Sequence, residues 1–325
     1  MSIFFSIIMP VYNSSQFLDI ALRSVLLQSF KDFELIVIND GSKDNSAEIC
    51  KQFAEKDSRI VFIDKVNEGV AISRNRCLDI ARGKYIIFVD SDDILYSGAL
   101  EKIYREIGAL KPDLIRYEYQ YIDEKGSDLY PNYKKIDRKK YQGVILDSAS
   151  FMSRIMMNEY FLCMHCYKKD MIAKTLLRFK EGCTFNEDTL FICRFLTYSK
   201  RNLYISDKVY GYRKTSSAVT MNFTKKNASD ILGVFCDLYK LADTCGQPLS
   251  KNIKKVAQYL LLNLYEHRNL LNEQGFHDAI KVCVQTPYIG EWTIFRYMHR
   301  YSKIVWLILN VKRKIIRKIK FTLYG

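Results

Sequence analysis

Short apolar runs at residues 4–9, 33–38, 60–63 and 85–89 recur through the first ninety residues, and helical spacing fills the intervals between them. Runs this continuously hydrophobic read as strands buried on both faces rather than as half-exposed antiparallel strands. Between them, residues 16–27 place Leu18, Ala21, Leu22, Val25 and Leu26 on one face, with Ser14 or Ser15 as the helix cap. Residues 46–56 and 70–81 repeat the pattern, and Gly83 follows the second as a stop signal. Strand and helix in alternation restrict the chain to right-handed crossovers. The fold class is therefore α/β, with a mostly parallel, doubly wound sheet. A helix over 98–110 leads to a strand over 113–121, a polar loop or hairpin spans 127–142, and helices over 148–158 and 188–198 precede a strand over 203–212. Beyond residue 222 the pattern turns helical (228–242, 251–271, 276–284). We expect an α/β domain over 1–222 and a helical C-terminal region over 223–325.

The chain's 325 residues, 48% of them hydrophobic, supply a real core and exclude disorder as a whole. The net charge of +14 is uneven, since residues 296–325 hold nine Lys and Arg and no acid. Apolar and basic residues interleave there, from Trp306 to Lys320. Such a helix can lie in a bilayer interface, or pack on the domain with a solvated basic face. A nucleic-acid partner is not expected, because no recognition motif accompanies the basic stripe. The start of the chain lacks the basic region of a secretory signal, and no stretch reaches the ~20 apolar residues of a membrane span. Nine cysteines without framework spacing read as reduced thiols of the cytoplasm. Cys163 and Cys166 form one CxxC pair, and zinc would need a second.

Asp90-Ser91-Asp92-Asp93 ends the fourth apolar run. Crowded carboxylates repel unless a cation lies between them, and hard oxygens suit Mg²⁺ or Mn²⁺. Asp92 or Asp93 could equally cap a helix starting near Leu95. Pro10-Val11-Tyr12-Asn13 follows the first run, Asn39-Asp40-Gly41-Ser42-Lys43-Asp44 the second, and Asn67-Glu68-Gly69 the third, with Arg74 and Asn75 in the next helix. Each could be an ordinary turn. In a parallel sheet, however, all four lie at one edge, where open α/β sheets bind ligands. Asp40 can accept a ring N–H of a pyrimidine lying against Tyr12, Arg74 can reach base or phosphate oxygens, and a divalent ion on Asp92 would neutralise a departing diphosphate. The edge reads as a site for a nucleotide diphosphate used as a leaving group. No GxxxxGK[ST] or GxGxxG loop is present to support an ATPase or dinucleotide reading.

The segments Ser6–Asn13, Asn39–Ser46, Ser73-Arg74-Asn75 and Asp90–Asp93 together resemble glycosyltransferase family 2, over roughly the first 220 residues. That resemblance implies the GT-A fold of nucleotide-diphospho-sugar transferases. It implies that Asp40 binds uracil within the Pro10-Val11-Tyr12 segment, and that Asn67 and Arg74 face the nucleotide. Asp90, with Ser91 beside it, would lie near ribose and metal, and Asp92 would ligate Mn²⁺ or Mg²⁺.

Asn186-Glu187-Asp188 resembles the family's Glu-Asp motif, which implies Asp188 as general base and Glu187 as a neighbour holding acceptor or loop. Without the resemblance the same residues read as a capped helix start with acids at the positive dipole end. Tyr212-Arg213-Lys214, with Ser217, resembles the segment that closes over the diphosphate. His165 stands where the family often has lysine, and reads as a packed strand histidine rather than as a third metal ligand. The resemblance thus implies an inverting, metal-dependent hexosyl or N-acetylhexosaminyl transfer from a UDP-sugar to a glycan or lipid-linked acceptor in surface polysaccharide synthesis. We expect the enzyme on the inner membrane face, held there by residues 296–325, with a homo-oligomer left open. The alternatives are transfer to a protein-linked glycan, or a non-catalytic nucleic-acid- or membrane-binding protein acting through the tail.

Overall fold

The computed structural model describes residues 3–108, 110–129, 138–215 and 223–266. The helix expected over 276–284, the basic tail, Ser217 and the boundary at 222 lie outside the described residues, as does half of the loop expected over 127–142.

Strands β1 (Phe5–Val11), β2 (Phe33–Asp40), β3 (Ile60–Lys65) and β4 (Tyr85–Phe88) are parallel and lie in the order β3-β2-β1-β4. Phe5 sits in register with Phe33 on one side and Tyr85 on the other. Helices α1 (Ser15–Leu26), α2 (Ser46–Lys56) and α3 (Val70–Ile80) make the crossovers, as the spacing predicts. β2 and β4 are buried at every position, as their apolar runs demand, and the polar residues of β2 (Glu34, Asn39 and Asp40) are buried with them. The amino-terminal edge of the sheet is locked by Glu34, whose carboxylate accepts from Ser6 Oγ (2.6 Å) and from Arg82 N (2.6 Å). Gly83 fits against it only without a side chain, since a Cβ would meet Ser6 N at 2.4 Å.

The second half of the sheet adds β5 (Ile94–Leu95), β6 (Leu114–Ile122), β7 (Ile145–Leu146), β8 (His165–Lys168) and β9 (Asn202–Arg213). β8 is antiparallel to both β4 and β6, and β9 is parallel to β6. By that count β6 and β9 run in the same direction as β4, so their carboxyl ends reach the same sheet edge. Helix α4 (Ala99–Ile107) is shorter than the spacing implies, with Gly98 as its N-cap in the left-handed region. The helix expected over 148–158 becomes a single turn, α5 (Ser148–Phe151), followed by a π-helical turn that ends at left-handed Met157.

A short α6 (Lys169–Lys174) precedes α7 (Glu187–Tyr198). Helices α8 (Lys225–Asp243) and α9 (Leu249–Glu266) pack on each other, and α8 packs on α7. Thr184 N donates to Asp230 (2.9 Å) and Lys180 to Asp237 (2.8 Å), which ties α8 to the loop before α7. Among the described residues no helix is long and apolar enough to cross a membrane.

Candidate active site

The sheet order reverses between β1 and β4, so the crevice beyond their carboxyl ends is the topological switch point at which such sheets bind ligands. Loops from β1, β2 and β3 meet there through side-chain-to-backbone bonds. Asn13 takes a left-handed conformation, its Oδ1 accepts from Lys43 N (2.7 Å), and its own N donates to Ser42 Oγ (3.0 Å). Asp44 accepts from Ser15 N (2.9 Å) and Ser46 N (3.0 Å). Burial works against that charge, yet the bonds from Ser46 and Ser15 bring its pKa down to about 2. Gly41 is required at φ +68°, because a Cβ would sit 2.6 Å from Asn67 N.

The residues expected to face the donor take these places. Pro10 and buried Val11 end β1, and Tyr12 stands 48% exposed at the rim, free to carry a flat ring. Asp40 is buried and accepts from Lys65 Nζ, from Glu68 N (2.9 Å) and from Gly69 N (2.9 Å). Asn67 donates to the Asp40 carbonyl at 2.9 Å. Asp40 therefore organises the loop after β3 and leaves little of its carboxylate for a base. Ser14 occupies the N-cap position of α1 without a capping bond, and its hydroxyl instead meets Ser91 Oγ at 2.7 Å, tying the β1 loop to the Asp90–Asp93 turn.

That turn gives its carboxylates separate environments. Asp90 is partly exposed and lies 3.4 Å from Arg74. Asp92 makes no side-chain hydrogen bond to another described residue, and burial followed by the charge of Asp90 pushes its pKa up to about 6. Asp93 is not the helix cap allowed by the sequence. It is buried, accepts from Tyr210 Oη (2.7 Å) and Arg213 N (2.7 Å), and precedes β5 rather than a helix. Burial, then Asp92 and Asp90, hold its carboxyl well above the usual range.

Two hard oxygen donors two residues apart on a ligand-binding edge, Asp92 without a side-chain bond and Asp90 held only by the long contact to Arg74 among the described residues, suit a divalent cation that takes its remaining ligands from a diphosphate and water. The residues present therefore fit such a cation, and Asp90 and Asp92 are the side chains that would hold it. Among the described residues no group of three His, Cys, Asp or Glu is arranged to hold an ion by itself.

Asp188 and Glu187 open α7 after Asn186, which is in the left-handed region. Arg74 joins them to the carboxylate turn: its Nη1 donates to Glu187 Oε1 (2.7 Å) and its Nη2 to Asp90 Oδ1 (3.4 Å). Burial opposes the guanidinium's charge, but Glu187 and Asp90 hold its pKa above the ordinary arginine value. Asp188 accepts from its neighbour Thr189 N (2.6 Å). Burial and then Glu187 raise its pKa to about 7, against the opposing pull of Arg74. Residues from the ends of β4 and α7 and from inside α3 thus form one charged cluster.

The structure gives Arg213 other partners than a diphosphate. Its Nε donates to the Asp92 carbonyl (2.7 Å), its Nη1 to the carbonyls of Asp123 and Glu124 (2.8 Å each), and its guanidinium lies over Phe17 at 4.6 Å. It clamps the Asp turn to β9. His165 is fully buried with Nδ1 2.9 Å from the Phe161 carbonyl, and burial followed by Arg116 lowers its pKa well below the usual value. The packed reading of this histidine holds. Cys163 and Cys166 are buried free thiols.

Sequence reasoning missed Tyr210, whose hydroxyl holds Asp93 and accepts from Asp90 N (3.1 Å). Its alternation with Tyr212 was visible, but only strand pairing sets it opposite Asp93. Also missed was the clamp on the loop before α7, in which Asn75 Nδ2 donates to the Phe179 carbonyl (3.0 Å) and Asn75 Oδ1 accepts from Phe179 N (2.8 Å).

A mixed α/β sheet with a carboxylate turn at its switch point and an acidic helix start beside it defines the GT-A class of nucleotide-sugar transferase folds. The solved structure of Staphylococcus aureus TarS residues 1–349 in complex with UDP-GlcNAc shares that fold with a TM-score of 0.64 at 19% identity, covering 84% of this chain and 75% of that one. The family model of glycosyl transferase family 2 matches residues 6–167, and the chain belongs to that family. Two relatives come from Streptococcus pneumoniae serotype 4. Glycosyltransferase GlyA is 29% identical over 264 residues, 80% of this chain and 37% of GlyA. Glycosyltransferase GlyG is 26% identical over 291 residues, 86% of this chain and 94% of GlyG.

Proposed function

We propose that the protein is an inverting glycosyltransferase that moves a hexose or N-acetylhexosamine from a UDP-sugar to a hydroxyl of a glycan or lipid-linked acceptor in bacterial surface polysaccharide synthesis. The observation that carries this reading is the half-buried Asp188, raised to about 7 and joined through Glu187 and Arg74 to the Asp90–Asp92 edge. Inversion needs a base on the face opposite the leaving group. In this reading Asp188 takes the proton of the acceptor hydroxyl, whose oxygen attacks the anomeric carbon while UDP departs toward Asp90 and Asp92. Burial makes Asp188 a stronger base than an ordinary carboxylate, and at a pKa of about 7 part of it is still ionised near neutrality. Tyr12 offers a face for uracil, and the loop that Asp40 and Asn67 order forms the wall beside it. A divalent Mn²⁺ or Mg²⁺ on Asp90 and Asp92, when bound, neutralises the diphosphate.

UDP-Glc, UDP-Gal, UDP-GlcNAc and UDP-GalNAc, each supplied with Mn²⁺ or Mg²⁺, test the donor class through UDP release. The TarS fold neighbour, described in complex with UDP-GlcNAc, makes that sugar the first to try. Release from one UDP-sugar, lost on chelation, supports the reading. Turnover confined to GDP-mannose would overturn the UDP assignment. The basic stretch 296–325 suits an anionic bilayer surface, with each Lys or Arg near the headgroups contributing about 1 kcal/mol. Flotation with anionic liposomes, compared between the full chain and one ending at residue 295, separates membrane binding from a merely solvated face.

A further inference from the structure

Arg74 stands where the family resemblance implies a nucleotide ligand, but its contacts lead to the helix that carries Asp188. It is 6% exposed, and among the described residues the nitrogens at the end of its fork reach only carboxylates: Nη1 meets Glu187 at 2.7 Å and Nη2 meets Asp90 at 3.4 Å. Its Nε has no hydrogen-bond partner among the described residues. The guanidinium lies 5.4 Å from the Phe179 ring centroid, and Phe179 stacks on Phe191 of α7 at 4.1 Å with the planes 6° apart. The next residue of α3, Asn75, grips the Phe179 backbone in both directions. One turn of α3 therefore holds the approach to α7, its aromatic underside and its first acid.

We propose that Arg74 is a positioning residue for the base: it anchors Glu187, and with it the first turn of α7, to the sheet edge at Asp90, and so sets where Asp188 stands. Two adjacent acids in a largely buried first turn repel each other, and the helix dipole alone offsets only part of that. A fixed, always-charged fork is the appropriate countercharge. A lysine could supply the charge but could not span both carboxylates. The groups that face Asp188 are Glu187 and Cys193 from α7, Arg74 from α3, Asp90 from beyond β4, and Tyr167 from β8.

This inference rests on the reading of Asp188 as the base, and the test separates the two. The full chain carrying Arg74→Gln, Arg74→Lys or Glu187→Gln is compared with wild type for affinity toward UDP with Mn²⁺ by calorimetry, and for turnover of the UDP-sugar against pH. A positioning role predicts that Arg74→Gln keeps UDP affinity within ~3-fold and loses ~100-fold in kcat, with partial recovery in Arg74→Lys. The acid limb of kcat moves to higher pH in Arg74→Gln, where a cation beside Asp188 is gone. It moves to lower pH in Glu187→Gln, where an anion is gone. Loosening of the fold alone would not produce opposite shifts at the two ends of one contact. Wild-type kcat with a tenfold or greater loss of UDP affinity in Arg74→Gln makes Arg74 a nucleotide ligand and overturns the inference. Should Arg74→Gln fail to fold, Glu187→Gln decides alone, and an unmoved acid limb overturns it. A wild type that binds UDP but shows no acid limb removes the base reading itself and, with it, this role.

Discussion

The two sides of the site are built by different means. On the side we propose for the donor, the loops after β1, β2 and β3 meet through short side-chain-to-backbone bonds, and Asp44 with two amide donors has its pKa brought down to about 2. On the side we propose for the acceptor, Asp188 is raised to about 7, and the only described cation bonded to its neighbour Glu187 is Arg74, supplied from α3. Local turns thus stabilise charge on one side, and tertiary burial withholds that stabilisation on the other. The first arrangement makes a rigid cradle, while the second makes a reactive group.

The sharpest way to break this contrast is Asp188→Asn, which should cut transfer by ~10²–10⁴-fold. It should also raise thermal stability at pH 7. A carboxyl whose pKa is raised to about 7 by folding contributes its stability fully below the ordinary carboxylate pKa and loses it as pH rises toward 7. The amide avoids that loss, so the stability gap between variant and wild type should widen from pH 4 to pH 7 in calorimetric melts. Equal melting temperatures at pH 7 would place Asp188 in solvent. Asp92→Asn should cost ~100-fold in kcat, about 2.7 kcal/mol, and a larger share of Mn²⁺-dependent UDP affinity than Asp188→Asn does. Unchanged Mn²⁺ dependence would remove Asp92 from the metal.

Smaller effects test the cradle. Tyr12→Ala should raise the donor KM about fivefold, the ~1 kcal/mol expected for a half-exposed stacking ring, with little change in kcat. Asp44→Ala should lower stability by about 1 kcal/mol, the net worth of its lost hydrogen bonds. Its folded pKa is depressed to about 2, so that contribution is present above the unfolded value near ~3.9 and fades as pH falls toward 2. Melts of wild type and variant should therefore converge as the pH is lowered from 4 to 2. Parallel melts across that window would show that the loop does not hold Asp44 ionised.

The first three crossovers were legible because each apolar run and each helical face was long enough to show its period. β5 and β7 were not, since two residues carry no period at all. The turn over 152–156 kept helical spacing in sequence but took a π geometry. Within the site, the carboxylates could be named from the order of strand ends. Their division of labour could not, because Asp93 differs from Asp92 only through Tyr210 and the Arg213 amide, more than a hundred residues away in sequence.

The sequence alone determined that strand ends converge on one edge, because hydrophobic period and crossover handedness leave a parallel sheet no other arrangement. It also determined which acids and amides would meet there. The tertiary structure decided which of these groups are already used. It bound Arg213 to three carbonyls, Asp40 to the loop after β3, and Arg74 to Glu187 and Asp90. A side chain's type fixes what it can bond, but only packing fixes which partner arrives first and how much water remains beside it.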